Sequence, residues 1–288
     1  MELVSEVEAG CELGESVLWH PLEQRIWWTD ILGCRLYACA LNGSELTCWK
    51  TPEPLTAFGF TDRAGQLIVS FASGIAYFWP DSGEVQWLAR PDIGRAERFN
   101  DGRVDPEGRF WAGTMAPGRP GEAALYCYDG ELHLALKGLE IANGLCWSPD
   151  GRTAYHADSP RRQIREFQVA SGRLQRSRRF AHTTDGFPDG ACTDAQGNLW
   201  SALWGGGKVV CYSSAGKVLG EFSLPVSQPT CVAFGGPEYR HLLVTSAWEH
   251  MSPEARAREP RAGNLFIYHQ SSPGRPCDLH RVAVERGD

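Results

Sequence analysis

The chain has 288 residues, 42% of them hydrophobic, enough for a sizeable core. A formal net charge of -7 argues against a nucleic-acid partner, which needs a basic face. Thirty-two Gly, 18 Pro and 11 Trp, without a long apolar run, speak against a helical or membrane-spanning chain and for short strands with tight turns.

In chain order, the segment Met1–Gly10 is acidic and lacks Lys and Arg. It does not read as an export leader, so a cytoplasmic location is expected. The ten Cys form no CxxC pair and mostly sit in apolar runs. Free buried thiols are the expected state. A polar turn followed by an alternating apolar and aromatic run then recurs along the chain. His20-Pro21-Leu22-Glu23-Gln24 precedes Arg25-Ile26-Trp27-Trp28, and Thr61-Asp62-Arg63-Ala64-Gly65 precedes Gln66-Leu67-Ile68-Val69. Asp105-Pro106-Glu107-Gly108, Ser148-Pro149-Asp150-Gly151 and Thr193-Asp194-Ala195-Gln196-Gly197 lead into similar runs, and a degenerate copy begins at Gly235. Gly65, Gly108, Gly151 and Gly197 are spaced 43, 43 and 46 residues apart, in the range of propeller blades. Second hairpins are marked by Asn42-Gly43, Asp129-Gly130 and Ala215-Gly216.

Six units of about four strands predict an all-β, six-bladed propeller over residues 1–288 as one domain. Ring closure is expected to use Leu3–Glu8 or Arg281–Val284; the sequence does not select between them. Eight residues before the four clear glycines stand Ala57, Asn100, Asn143 and Asp189. Glu15 lies nine before Gln24, in a turn that reads one residue longer, and Gln228–Thr230 is the matching region of the last unit. If the innermost strands converge on one axis, four polar heads converge with them. Two carboxylates in a confined channel repel and need a cation or a shared proton. With amide oxygens they form a hard site, favouring Ca²⁺, or Mg²⁺ and Mn²⁺, over a His/Cys zinc site.

The ordered motifs Leu13-Gly14-Glu15-Ser16, Arg98-Phe99-Asn100-Asp101-Gly102, Ala112-Gly113-Thr114-Met115, Asn143-Gly144-Leu145 and Pro188-Asp189-Gly190 run through the chain. In them the sequence resembles the regucalcin, gluconolactonase and sugar-lactonase family, the senescence-marker protein group. The resemblance implies a six-bladed propeller and one divalent metal bound by Glu15, Asn143 and Asp189. Calcium is the first expectation, with zinc, manganese, magnesium or iron(II) as alternatives. It further implies that Arg98 and Asn100 hold substrate hydroxyls and that Asp189 doubles as the general acid/base. Animal members of the family carry an acidic substrate-contacting residue where this chain has Gly118, and Glu122 is the nearby candidate to reach in.

The expected chemistry is hydrolysis of sugar-acid lactones, which requires a polarised carbonyl and an activated water. Asp101 is the rival base, with bonds to turn amides as its structural alternative. The Arg98 fork suits hydroxyls, or else a rim ion pair with Glu97 or Glu140. Trp204 is expected either at the mouth of the channel or in the core. The absence of a Gly-x-Ser-x-Gly elbow argues against a serine hydrolase. The competing readings are a calcium-binding regulatory protein and an organophosphate or other ester hydrolase on the same scaffold. The expected partner is a small sugar lactone, with no membrane and no nucleic acid, acting on a monomer or weak homo-oligomer.

Overall fold

Four of the repeat turns are held by a polar side chain of their own. Asp105 Oδ1 accepts from the amides of Glu107 and Arg109, both at 2.9 Å. Its Oδ2 accepts from Arg109 Nε at 2.7 Å and Trp111 Nε1 at 2.8 Å. Asp194 repeats the pattern with Gln196, Asn198 and Trp200. In two other turns a hydroxyl substitutes: Thr61 Oγ1 accepts from the Arg63 amide, and Ser148 Oγ from the Thr153 amide. The Asp therefore fixes both the turn and the Trp of the next strand. Gly108 closes its turn at φ +86°, a conformation that costs a side-chain-bearing residue energy.

These hairpins assemble into six four-stranded antiparallel sheets. The structure is a computed structural model that describes residues 1–282. The innermost strands of blades 1 to 6 are Gly14–His20, Leu55–Phe60, Arg98–Val104, Ala142–Trp147, Phe187–Thr193 and Pro229–Gly235. The six-bladed β-propeller expected from the repeats is the observed fold. Blade 6 is completed by the N-terminal strand, Glu2–Val7, which pairs antiparallel with Leu265–His269. Of the two candidate segments for closure, the N-terminal one pairs. The other falls partly outside the described residues. Its first residue, Arg281, donates its amide to the Gly108 carbonyl at 3.3 Å.

The core is distributed around the ring, with one apolar cluster at each contact between neighbouring blades. Trp19 and Trp28 of blade 1 meet Leu243 and Ile267 of blade 6, and Trp27 meets Phe58 and Phe60 of blade 2. Ile68 meets Phe99 and Phe110, and Trp111 meets Trp147. Tyr155 meets Val210 and Tyr212, and Trp200 meets Phe234 and Phe266. Large aromatics fill the widening gap between radiating sheets, which accounts for the high Trp content. All ten Cys are free. The one α-helix among the described residues, Pro253–Arg258, is too short to cross a membrane.

Residues 274–280 run across the end of the channel that the turns define. Gly274 bridges Asp194, His280 bridges Thr61, and Arg275 pairs with Asp278 at 2.7 Å. This segment leaves a small cavity of about 50 Å³ beneath it. The opposite end stays open.

Candidate active site

All six innermost strands break register near the open end. The break falls just after Glu15 and just after Asn143, and it spans Asn100 and Asp189. Blades 2 and 6 break at Leu55/Ala57 and Pro229/Val232. A bulge adds a residue to one strand, bends it and re-aims a side chain. Here it turns the polar residue of four blades toward the axis. Residue 144 must be glycine for a second reason: its φ is +59°, and a Cβ there would stand 2.9 Å from the Asp189 carbonyl oxygen. The blade 4 and blade 5 strands thus approach closely at the two residues that carry Asn143 and Asp189.

Aspartates at the end of the second strands pin the segments leading into the site. Asp30 accepts from the amides of Glu12, Leu13 and Gly33, at 3.0 to 3.2 Å. Asp158 accepts from those of Glu140 and Ile141 at 3.2 and 3.1 Å. The two interactions are equivalent in blades 1 and 4 and set the start of the strands bearing Glu15 and Asn143.

The mouth encloses a cavity of about 390 Å³, within the range of small-molecule sites. Glu15, Arg98, Asn100, Asn143 and Asp189 all line it. So do Ser159, Glu249 and His250, beneath an apolar rim that includes Met115, Ile141, Phe187 and Trp204. Trp204 lines the mouth and also packs with Leu13, Ile31 and Ala247.

The amide groups have fixed orientations. Ser159 Oγ gives its proton to the Pro188 carbonyl at 2.7 Å and accepts from Asn143 Nδ2 at 2.9 Å. Asn143 therefore offers Oδ1, which Asn100 Nδ2 approaches at 3.3 Å. Asn100 Nδ2 also donates to the Ala142 carbonyl at 3.0 Å, and Asn100 Oδ1 accepts from Arg98 Nη1 at 2.7 Å. Arg98 Nη1 further donates to the Phe99 carbonyl at 2.9 Å. The expected alternative of an Arg98 rim ion pair is not found. Glu97 pairs with Arg119, and Glu140 Oε1 accepts from the Gly118 amide.

The two floor carboxylates are strained electrostatically. Burial, then the charge of Asp101, pushes Glu15 up to about 8. Burial, then the charge of Glu15, raises Asp189 well above the usual carboxylate range. Arg103 and Arg98 pull Glu15 back only partly. A divalent cation among these oxygens would remove the repulsion. Among the described residues no three His, Cys, Asp or Glu gather as a metal-binding group, so a centre here depends on the Asn143 amide oxygen. Two carboxylates and an amide oxygen fit a hard cation.

Two residues considered from the sequence do not face the cavity. Asp101 is buried and accepts from the Leu145 amide at 3.0 Å, tying blade 3 to blade 4 beside the floor. Its alternative role, holding backbone amides, is the one the geometry supports. Glu122 points to solvent with Arg95 Nη1 at 3.9 Å, because the turn through Gly118 and Gly121 carries it away. The residues missed from the sequence are Ser159, Phe187, Glu249 and His250. The first and the last two follow second strands, in loops of unequal length. Only Ser159 carried a signal, since it follows Asp158, the counterpart of Asp30.

A model of the SMP-30/Gluconolactonase/LRE-like region matches residues 13–248. The chain belongs to this family. Its relatives include a 6-deoxy-6-sulfogluconolactonase of Pseudomonas putida, 38% identical over 91% of this chain and 92% of that one. An L-arabinolactonase of Azospirillum brasilense is 36% identical over 88% of this chain and 87% of its own. Among solved structures, a calcium-binding protein, regucalcin, from Agrobacterium tumefaciens superposes with a TM-score of 0.92 at 28% identity, covering 98% of this chain and 99% of that one. The family resemblance read from the five motifs is confirmed.

Proposed function

We propose that this protein is a divalent-metal-dependent lactonase that opens sugar-acid lactones to aldonic acids. The observation that carries the reading is one cavity floor where buried Glu15 and Asp189 meet the Asn143 amide oxygen, with Arg98 and Asn100 on the adjoining wall. Membership of a family with two sugar lactonases above 35% identity supports it. Glu15, Asn143 and Asp189 would hold the cation, with calcium favoured by the all-oxygen set and by the calcium-binding structural relative. When bound, the cation supplies a Lewis acid for the ring carbonyl and lowers the pKa of water.

The chain's own residues supply the remainder. The Arg98 fork donates to hydroxyl or ring oxygens of the sugar, and its bond to Asn100 Oδ1 holds it in place. Asp189 takes a proton from the attacking water and returns one to the ring oxygen as the C–O bond breaks. One water is added, and the product is the open hydroxy acid. The apolar rim of Phe187, Trp204, Met115 and Ile141 supports a second reading, hydrolysis of esters with an apolar group. Calcium storage without turnover gives no role to the Arg98–Asn100 pair.

The test is a panel of pentono- and hexono-1,4- and 1,5-lactones plus an aryl ester. Each is assayed with Ca²⁺, Mn²⁺, Zn²⁺, Mg²⁺ or Fe²⁺ and after chelation. Cation-dependent opening of at least one lactone above background is expected. No lactone turnover with any cation sinks the proposal, and aryl ester turnover alone selects the second reading.

A further inference from the structure

Three acidic side chains line the cavity. Glu15 and Asp189 lie on its floor, and Glu249 stands on the wall supplied by blade 6. Glu249 follows the second strand of that blade, His241–Ser246, and is fixed through its backbone. Its amide donates to the Glu12 carbonyl at 3.0 Å, and its carbonyl accepts from Gln228 Nε2 at 3.2 Å. The side chain is 19% exposed, and His250 Nε2 stands 3.5 Å from its Oε1. Of the carboxylates acting on Arg98, Glu249 is the strongest, yet the two form no ion pair within 4.0 Å among the described residues. Arg98 of blade 3 and Glu249 of blade 6, opposite blades of the six, therefore face one another across the cavity with space between them. A sugar in that space can accept from Arg98 with one hydroxyl and donate to Glu249 with another. An anionic substituent directed at the blade 6 wall meets the Glu249 charge.

We infer that Glu249 is a specificity-determining residue that selects lactones presenting neutral hydroxyls to the blade 6 wall of the cavity and rejects those bearing phosphate, sulfonate or carboxylate there. This rests on the lactonase reading above. Like charges several ångströms apart in a partly buried site alter affinity roughly ten- to a hundredfold. On the rim, the Arg162 guanidinium lies 4.2 Å over the Phe187 ring. The preference would set this protein apart from its Pseudomonas putida relative, whose name denotes a sulfonated lactone.

The experiment compares wild type, Glu249→Gln and Glu249→Ala, each loaded with Ca²⁺ or Mn²⁺ at pH 7.5. The substrates are glucono-1,5-lactone and its 6-phospho and 6-deoxy-6-sulfo counterparts. Wild type is expected to favour the neutral lactone by about tenfold or more in kcat/KM. Glu249→Gln is expected to narrow that preference about tenfold through KM of the anionic lactones. An unchanged preference in Glu249→Gln, or a wild type that favours the anionic lactones, overturns the inference. If no lactone turns over, the lactonase reading fails separately. Calorimetric binding of 1,5-anhydroglucitol and its 6-phosphate then decides the selectivity: loss of neutral preference in Glu249→Gln supports it, and an equal preference or no binding of either overturns it.

Discussion

Replacing Glu15 by Gln should stabilise the cation-free protein and abolish its response to cation. In the absence of a cation, Glu15 and Asp189 are buried together, and Glu15 is pushed up to about 8. An unfolded Glu titrates near 4.5, so between these values the folded state binds more protons than the unfolded state. Stability is then fully present below about pH 4.5 and is lost as the pH rises toward 8. The shift in Glu15 corresponds to about 5 kcal/mol as a ceiling, at about 1.4 kcal/mol per unit. Relaxation of the site and a proton shared with Asp189 reduce the realised loss to about 2 kcal/mol or somewhat more. A cation at a hundred times its Kd contributes about 2.7 kcal/mol to the folded state. The two effects are therefore of similar size and opposite sign at pH 8.

The assay is thermal unfolding at pH 6 and pH 8, in chelator and in excess Ca²⁺ or Mn²⁺, for wild type and Glu15→Gln. For a chain of this length, 1 kcal/mol moves Tm by about 2 °C. Chelated wild type should lose about 4 °C or more between pH 6 and pH 8, and cation should restore it. Glu15→Gln should melt higher than wild type in chelator at pH 8 and show no cation shift. If Glu15→Gln instead melts lower in chelator at pH 8, the repulsion is wrong; if it keeps the full cation shift, the assigned cation position is wrong.

Ser159→Ala removes the hydroxyl that orients the Asn143 amide, so cation affinity should fall about ten- to a hundredfold. Ser159→Thr should retain it, and titration calorimetry distinguishes the two. Away from the site, buried His156 is held neutral, lowered to about 4 by burial and then by Arg165, and its Nε2 has no hydrogen-bond partner among the described residues. An unfolded His titrates near 6.5, so stability present above 6.5 is lost as the pH falls toward 4, by up to about 3 kcal/mol. His156→Leu should flatten that acid limb, read as the urea midpoint at pH 7 and 4.5; parallel curves for the two proteins would contradict the assignment.

The turns and the inner strands were legible in the sequence because one residue type does several jobs there. Asp105 and Asp194 each hold two backbone amides and an indole, so the Asp-x-x-Gly phrase, with Trp after it, cannot drift without losing all three bonds. From such a fixed turn the innermost strand can be counted back residue by residue. That count reached Glu15, Asn100, Asn143 and Asp189, which line one cavity. What it could not give was the direction of the neighbouring side chain: Asn100 and Asp101 are adjacent polar residues, and the register break sends only Asn100 into the cavity.

The rim was not legible for the converse reason. Ser159, Glu249 and His250 lie in loops that return from the second strands, and nothing holds those loops to a common length. Ser159 immediately follows its strand, whereas Glu249 comes three residues after Ser246, so no phase count reaches both. Glu122 shows the same limit: nearness in sequence to Gly118 did not bring it to the cavity, because the turn ends on a pair with Arg95. The division follows from the architecture. Floor residues sit on strands wedged between two neighbours, where Gly144 already meets the Asp189 carbonyl and a change in one blade is felt in the next. The wall residues sit on loops outside the strands, where Ser159 and Glu249 reach only the edges of neighbouring blades at Pro188 and Glu12. Chemistry common to a family belongs on the floor, and Glu249 is on the wall above it, where a difference in substrate charge can evolve without disturbing the carboxylates below it.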